Sequence, residues 1–110
     1  MCNCKPNMTN EERYFQQVVI ELPDSQKDKT RRIADGLSPC VCLDPCIVDE
    51  IQTLWDLGIQ TTGCCCGHNN PEWFPFVNVN DDSIEAMLDL GYIQKHSDTK
   101  RKDTFLLKSA

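Results

Sequence analysis

Three consecutive cysteines, Cys64 to Cys66, are followed directly by Gly67 and His68. Thiolates and imidazoles are ligands that zinc and softer metal ions prefer, and a glycine lets the backbone turn sharply between them. In an extended chain Cys64 and Cys66 would share one side with His68. A turn at the glycine would instead bring Cys65, Cys66 and His68 to one centre. This run therefore predicts metal binding and constrains the fold more than any other segment.

The cellular compartment decides how eight cysteines in 110 residues should be interpreted. The segment 1–7 is polar and lacks the apolar run of a signal peptide, and no segment has the roughly 18 apolar residues of a membrane span. We therefore expect a cytoplasmic protein that has no membrane partner. Because cytosolic thiols stay reduced, metal ligation is favoured over a disulfide framework.

Charge is unevenly distributed along this chain, whose formal net charge is -6. No Lys or Arg lies between Cys46 and Gln94, a stretch that is rich in Asp and Glu. Basic residues cluster on either side of it, in segments 27–32 and 95–108. Because basic surface supplies most of the affinity for nucleic acids, the pattern disfavours nucleic acid as a partner. The two basic segments are the places where such binding stays open.

The first part of the chain predicts a helix followed by a charged segment. Thr9 and Glu12 form a capping-box pattern, and apolar residues at helical spacing then predict a helix through Leu22 that ends at Pro23. Residues 24–36 predict a loop or an exposed helix around residues 31–34.

The rest of the chain predicts short strands that alternate with helices. Residues 40–43 alternate as a strand, with Cys40 and Cys42 on one face. Asp44 as N-cap, followed by proline, predicts a helix that ends at Gly58. The remaining predicted elements are strands at 59–62, 73–79, 92–93 and 104–107, and a helix that starts at 81 or 82 and ends at 91.

The predicted fold class is α+β, with two or three helices packed on a small, mainly antiparallel sheet that zinc stabilises. We expect a single cysteine-rich metal-binding domain, 1–110. Within it, residues 1–36 form the N-terminal helix and charged loop, and residues 40–110 form the α+β core.

Cys46 is predicted to lie at the second position of the helix that Asp44 caps. Unpaired backbone N–H groups and the helix dipole favour a thiolate at that position. A lowered thiol pKa suits a metal ligand and a nucleophile equally, so the position alone does not choose between them.

Three segments of the central third resemble one group of small proteins. Segments 43–48, 57–61 and 65–68 read Leu-Asp-Pro-Cys-Ile-Val, Leu-Gly-Ile-Gln-Thr and Cys-Cys-Gly-His. They resemble small, mostly phage- or prophage-encoded proteins of unassigned function that share Asp-x-Cys-Ile, a helix, Gly-Ile-x-Thr and Ser-Cys-Cys-Gly-His. Those proteins tend to have Ser at the position of Cys64 and Gly at the position of Asn69. The first difference implies that Cys64 is not an essential ligand.

The resemblance implies one tetrahedral Cys₃His set. Its members are Cys46, Cys65, Cys66 and His68. The remaining Cys-x-Cys pairs form a second, weaker candidate set, which consists of Cys2, Cys4, Cys40 and Cys42. Zinc is the expected metal, as one or two ions, because thiolate-rich tetrahedral sites in cytosolic domains usually hold zinc. Copper(I) and an iron–sulfur cluster stay open, although neither has its signature spacing here.

The expected function is a small zinc-binding module, a phage or prophage accessory or regulatory protein that binds a host macromolecule or a ligand in the cytoplasm of the bacterial host cell. A small zinc-dependent metalloenzyme is the first alternative, although no zinc-hydrolase or deaminase motif is present. A thiol redox protein, in which Cys46 attacks and a neighbouring thiol resolves, is the second. No residue is assigned a catalytic role, and no oligomeric state is predicted.

Overall fold

The structure, a computed structural model, describes residues 9, 11–12, 17–67 and 74–109. These residues form two antiparallel sheets with helices between and after their strands, so the α+β class and the antiparallel pairing are confirmed. The predicted single sheet is instead two. The elements in chain order are β1 (Val18–Glu21), α1 (Lys27–Ala34), β2 (Cys40–Leu43), α2 (Val48–Asp56), β3 (Thr61–Cys65), β4 (Phe76–Val79), a 3-10 turn (Asp81–Ser83), α3 (Ile84–Asp89) and β5 (Thr104–Leu106).

The first sheet is a two-stranded ribbon of β1 and β2. Val19 pairs with Cys42, and Glu21 pairs with Cys40. The strand predicted at residues 40–43 is therefore confirmed, and the alternation of side chains along it places both cysteines on the same face. Because β1 comes from the segment 1–36, this pairing joins that segment to the core.

The N-terminal helix prediction is wrong for residues 18–21, which form β1. One of the two bonds of the capping box is present, since the Glu12 N–H donates to Thr9 Oγ1 at 3.1 Å, while residues 13–16 lie outside the described part. Three successive β-branched residues, Val-Val-Ile, favour a strand once a partner strand is available. Val19 is 67 % exposed, so it does not belong to a buried helical face.

The helix after β2 begins at Val48, later than predicted, and Asp44 is not its N-cap. Residues 45–47 form a turn, in which the Ile47 N–H donates to the Asp44 carbonyl at 3.1 Å. The buried side chain of Asp44 accepts a hydrogen bond from another segment, so it is not used to cap α2. Cys46 therefore lies in the turn and not at the second position of the helix. The predicted stabilisation of its thiolate by the helix dipole has no basis at this position.

The ends of the helices follow the sequence more closely. The charged segment after Pro23 forms α1, which starts earlier than the exposed helix expected around residues 31–34. α2 ends as predicted before Gly58, whose φ is 85°, and the Ile59 N–H donates to the Leu54 carbonyl at 3.0 Å. None of the described helices is long and apolar enough to cross a membrane.

The second sheet has the strand order β3-β4-β5. Its pairing is irregular at the start of β3, where Thr61 lies opposite Val79 and Gly63 lies opposite Asn78, so Thr62 is an extra residue. The predicted strand at residues 92–93 is reduced to one isolated bridge, at the next residue, between Gln94 and Phe105.

The apolar core lies between the inner face of this sheet and α2. Ile51 and Leu54 of α2, Val77 of β4 and Phe105 of β5 are all at most 1 % exposed. Cys64, from β3, packs against the same cluster. The end of β3 that carries the cysteines is therefore fixed by core packing on one side.

Candidate metal centre

The three adjacent cysteines do not face the same way. Cys64 lies opposite the fully buried Val77, whereas Cys65 lies opposite the half-buried Phe76, so their side chains are on opposite faces of the sheet. β3 ends at Cys65, and Gly67 then has a φ of 77°. The turn predicted at this glycine is therefore present directly after the last cysteine.

The turn supplies a hydrogen-bond donor to a thiol. The Gly67 N–H donates to Cys65 Sγ at 3.4 Å. Hydrogen bonds to the charged form of an acid favour that form, so this N–H favours the thiolate of Cys65. A thiolate is the form that binds a metal ion.

Glycine is favoured at position 67 for two separate reasons. Its φ lies in the left-handed region, which side chains other than glycine rarely adopt. A Cβ at this position would also lie 3.1 Å from Phe74 C and 3.1 Å from Pro75 N. Both are backbone atoms, so a rotamer change could not relieve the contact.

Asp44 ties the cysteine run to the turn that holds Cys46. Its Oδ2 accepts a hydrogen bond from the Cys66 N–H at 3.1 Å. Asp44 is 4 % exposed and Cys66 is 2 % exposed. Because Asp44 is two residues before Cys46, this buried bond brings two cysteine-bearing segments together across 22 residues of sequence.

The structure places three of the four predicted ligands of the first set. Cys46 and Cys65 are half-buried and Cys66 is buried, whereas His68 lies outside the described residues. Within residues 17–67 and 74–109, no three His, Cys, Asp or Glu side chains are grouped so that they could hold a metal ion by themselves. Cys46, Cys65 and Cys66 all lie in these ranges, so the structure does not bring these three thiols together as a ligand group. Ligation by the set of Cys46, Cys65, Cys66 and His68 therefore stays a prediction.

The structure also describes only some members of the second candidate set. Cys40 is half-buried and Cys42 is exposed, and both are on one face of the β1–β2 ribbon. Cys2 and Cys4 lie outside the described residues. The ribbon therefore presents one Cys-x-Cys pair, and the pairing of the two Cys-x-Cys motifs stays a prediction.

Cys64 packs against the apolar core to which the buried Cys66 also belongs. Burial raises the pKa of the Cys64 thiol to about 12, and the negative charges of Asp44 and Cys65 act in the same direction. Without a bound metal ion, this raised pKa favours the protonated thiol. Because Cys66 is more deeply buried than Cys64, burial does not separate the two thiols, and the expectation that Cys64 is not a ligand stays a prediction.

A small cavity of about 190 Å³ opens beside Cys42 and Cys64, between α1, β2 and β3. Its one carboxylate, Asp28, forms ion pairs with Arg31 and Arg32. Both carboxylate oxygens of Asp28 accept hydrogen bonds from these guanidinium groups, so neither is free to act as a general base.

One residue of this region has a role that the sequence does not predict. Asp44 was identified as a helix cap, a role that its spacing from proline favours, but the structure uses its side chain to hold Cys66. No local signal could have shown this, because the partner is remote in sequence. Comparisons of the chain with protein-family models, with curated proteins and with solved structures found no match.

Proposed function

We propose that this chain is a zinc-binding module in which one Zn²⁺ joins the turn at residues 45–47 to the end of β3. Its ligands would be Cys46, Cys65, Cys66 and His68. The observation that carries the proposal is the buried Asp44–Cys66 hydrogen bond, which holds the two cysteine-bearing segments together. An ion that needs ligands from both segments would then bind without first closing a long loop.

The hydrogen bond from Gly67 to Cys65 supports the same proposal. It favours the thiolate of Cys65, and the turn that creates it has a positive φ, which glycine adopts without strain. Three thiolates and one imidazole form a closed tetrahedral shell, which leaves no position for a water molecule or a substrate. A closed shell suits a structural ion, whose binding adds to the free energy of folding of a small domain.

A module of this kind would act by binding a partner and not by catalysis. The partner that we propose is a macromolecule or ligand of the host cell, because the sequence resembles phage- and prophage-encoded proteins. A second ion held by Cys40 and Cys42 together with Cys2 and Cys4 would tie the N-terminal segment to the β1–β2 ribbon. Two ions per chain would then be bound in the cytoplasm.

Elemental analysis of protein purified under reducing conditions without chelators tests the proposal. We expect one equivalent of zinc, or two if the second set is also occupied, and ligand thiols that react with a thiol reagent only after a chelator is added. Absence of stoichiometric metal would overturn the proposal and favour a thiol redox protein.

Cobalt substitution separates a structural ion from a catalytic one. A Co²⁺ ion in a closed Cys₃His shell should give tetrahedral d–d bands that added cyanide or azide leaves unchanged. A change in those bands on adding an anion would show an open position and would favour the metalloenzyme.

A further inference from the structure

The segment before β5 forms a basic loop, which we define as residues 95–102. The isolated bridge between Gln94 and Phe105 and the bond from the Lys95 N–H to the Thr104 carbonyl (3.0 Å) fix its base. The Gln94 Nε2 also donates to the Lys102 carbonyl at 3.0 Å. The two ends of the basic loop are therefore held together by the sheet.

The interior of the basic loop is ordered by its own hydrogen bonds. The Asp98 N–H donates to His96 Nδ1 at 2.9 Å, and the Lys100 N–H donates to Asp98 Oδ1 at 2.9 Å. The Arg101 N–H donates to the Asp98 carbonyl at 3.0 Å. Because Asp98 accepts from the backbone of the loop, its carboxylate organises the turn.

Fewer of the basic side chains in this loop form ion pairs with carboxylates than is the case on α1. On α1, Lys27 pairs with Asp82, Lys29 pairs with Asp24, and Arg31 pairs with Asp28. In the basic loop Arg101 pairs with Asp103 at 2.8 Å. Within the described part of the chain, no carboxylate lies within ion-pair distance of Lys95 or Lys102. Their charge is therefore available to an external anion.

A surface cavity of about 360 Å³ lies along the basic loop. Its lining consists of Gln94, Lys95, His96, Thr99, Arg101 and Lys102. All six side chains can donate a hydrogen bond, and none is a carboxylate. A concave surface lined by donors of positive charge attracts and orients phosphate groups.

Aromatic side chains lie next to the same surface. The Lys95 Nζ is 4.9 Å from the centre of the Phe74 ring, and the rings of Phe74 and Phe76 meet edge to face at 6.1 Å between centres. Both phenylalanines are half-buried, so part of each is accessible. A basic groove beside accessible aromatic side chains is the combination by which proteins bind single-stranded nucleic acid.

We propose that the basic loop binds single-stranded nucleic acid, with phosphates on Lys95 and Lys102, which line this cavity, and a base against Phe74. A single strand can follow a short loop, whereas a duplex would also cover the surrounding surface of a chain whose net charge is -6. This binding goes beyond the proposed zinc site, and none of the residues that carry it is a predicted zinc ligand.

Fluorescence anisotropy with a labelled single strand of about 12 nucleotides, titrated with the zinc-loaded protein over a series of salt concentrations, tests the proposal. We expect the affinity to fall steeply with salt. The double variant K95A/K102A should weaken binding about tenfold at low salt, and it should reduce the slope of log K against log salt by about 1.4, since each phosphate contact to a single strand contributes about 0.7.

The matched control is K27A/R31A, which removes the same charge from α1. We expect this variant to stay within about twofold of the native affinity, because both side chains are already paired with carboxylates. Phe74→Leu keeps an apolar side chain but removes the ring, and it should weaken single-strand binding about fivefold or more. Circular dichroism and zinc content measured on the same preparations establish that each variant is folded and loaded.

Three results would overturn the proposal. They are the absence of salt-dependent binding by a fully zinc-loaded protein, an equal loss in the two double variants, and binding of duplex DNA or polyglutamate as tight as that of the single strand. A protein with full zinc that does not bind the strand contradicts the nucleic-acid site alone, whereas missing zinc contradicts the proposed metal site.

Discussion

The side chains of Gln26 and Gln60 form a reciprocal arrangement, in which each one hydrogen-bonds to the backbone of the two residues that flank the other in sequence. Each side chain donates to one backbone carbonyl and accepts one backbone N–H, with distances between 2.7 and 3.1 Å. The backbone partners are Ile59 and Thr61 for Gln26, and Ser25 and Lys27 for Gln60. This reciprocal pair joins the start of α1 to the start of β3 where no strand pairing connects them.

Gln26→Leu should be strongly destabilising. Gln26 is 0 % exposed, and its removal would leave the buried Ile59 carbonyl and Thr61 N–H without their partner. We expect a loss of about 2–4 kcal/mol in the free energy of unfolding, measured by urea denaturation. Gln60→Leu is the control and should cost less, because Gln60 is only half-buried and water can replace it. Equal losses would contradict this account of the pair.

Asp44→Ala should weaken both the fold and the retention of metal. Removing the carboxylate leaves the N–H of the buried Cys66 without this acceptor, which we expect to cost about 1.5–3 kcal/mol of unfolding free energy. Zinc affinity, measured by competition with a chromogenic chelator, should fall roughly tenfold or more, as for loss of other groups that position a ligand. Asp44→Asn keeps an acceptor oxygen and should lose less of each. An unchanged zinc affinity in the alanine variant would separate Asp44 from the metal site.

Gly67→Ala should be more damaging than Gly91→Ala. Both glycines have a positive φ, so each substitution costs about 1–2 kcal/mol of backbone strain. Only at Gly67 would the new Cβ meet backbone atoms, those of Phe74 and Pro75, whereas at Gly91 it would meet no atom within 4 Å. The difference between the two unfolding free energies therefore measures the steric contact, and a difference near zero would show that the turn can move.

The proposed ligand set makes Cys46 and Cys64 respond differently to the same change. Cys46→Ser and His68→Ala should each lower zinc affinity by more than the roughly 10–100-fold that loss of an outer-shell partner costs. Cys64→Ser should retain a full equivalent of zinc in elemental analysis. A folded, fully loaded Cys46→Ser protein would remove this residue from the ligand set, and zinc loss from Cys64→Ser would mean that Cys64 is not spare.

Glu50 should make stability depend on pH in the acid range. Its carboxylate accepts hydrogen bonds from the Tyr92 hydroxyl at 2.6 Å and from the backbone N–H groups of Lys108 (3.0 Å) and Ser109 (2.8 Å). Partial burial raises the pKa of Glu50, but the hydrogen bonds from Ser109, Tyr92 and the backbone outweigh it and leave that pKa below its usual 4.5. The folded state therefore binds this proton less readily than the unfolded state.

This depressed pKa gives stability that is present above about pH 5 and is lost as the pH falls through the folded pKa. Urea denaturation of the native protein and of Glu50→Gln between about pH 7 and pH 3 should show a difference that is largest at the upper end and shrinks below pH 4.5. A difference that stays constant over the whole range would assign the role of Glu50 to packing instead.

The parts of the fold that the sequence predicts well are those with local causes. Gly58 and Gly91 have the positive φ that ends a helix, and β2 and β5 form where the sequence predicts strands. The segment Val18–Glu21 was predicted wrongly because its pairing partner, β2, lies about twenty residues away. Helical spacing and β-branched composition competed there, and tertiary pairing decided the outcome.

The candidate site was predictable in its residue types but not in its connections. The cysteine run and the turn at Gly67 follow from local chemistry. The role of Asp44 does not, since an aspartate before a proline has the same pattern whether it caps a helix or binds a remote N–H. The fully buried Gln26 is a second example, because nothing near it in sequence indicates that an amide would be needed inside the core.

Because Thr62 is an extra residue, the side chains that follow it in β3 face the opposite side of the sheet from the one that regular alternation would give. Counted by regular alternation from the inward Thr61, Cys65 would face the core and Cys64 would face away, the reverse of what the strand pairing shows. The register of β3, and not the identity of any thiol, thus decides which cysteine packs against the core and which faces away from it. Adding or removing one residue at this point is therefore a way to exchange the two roles while every cysteine stays in place.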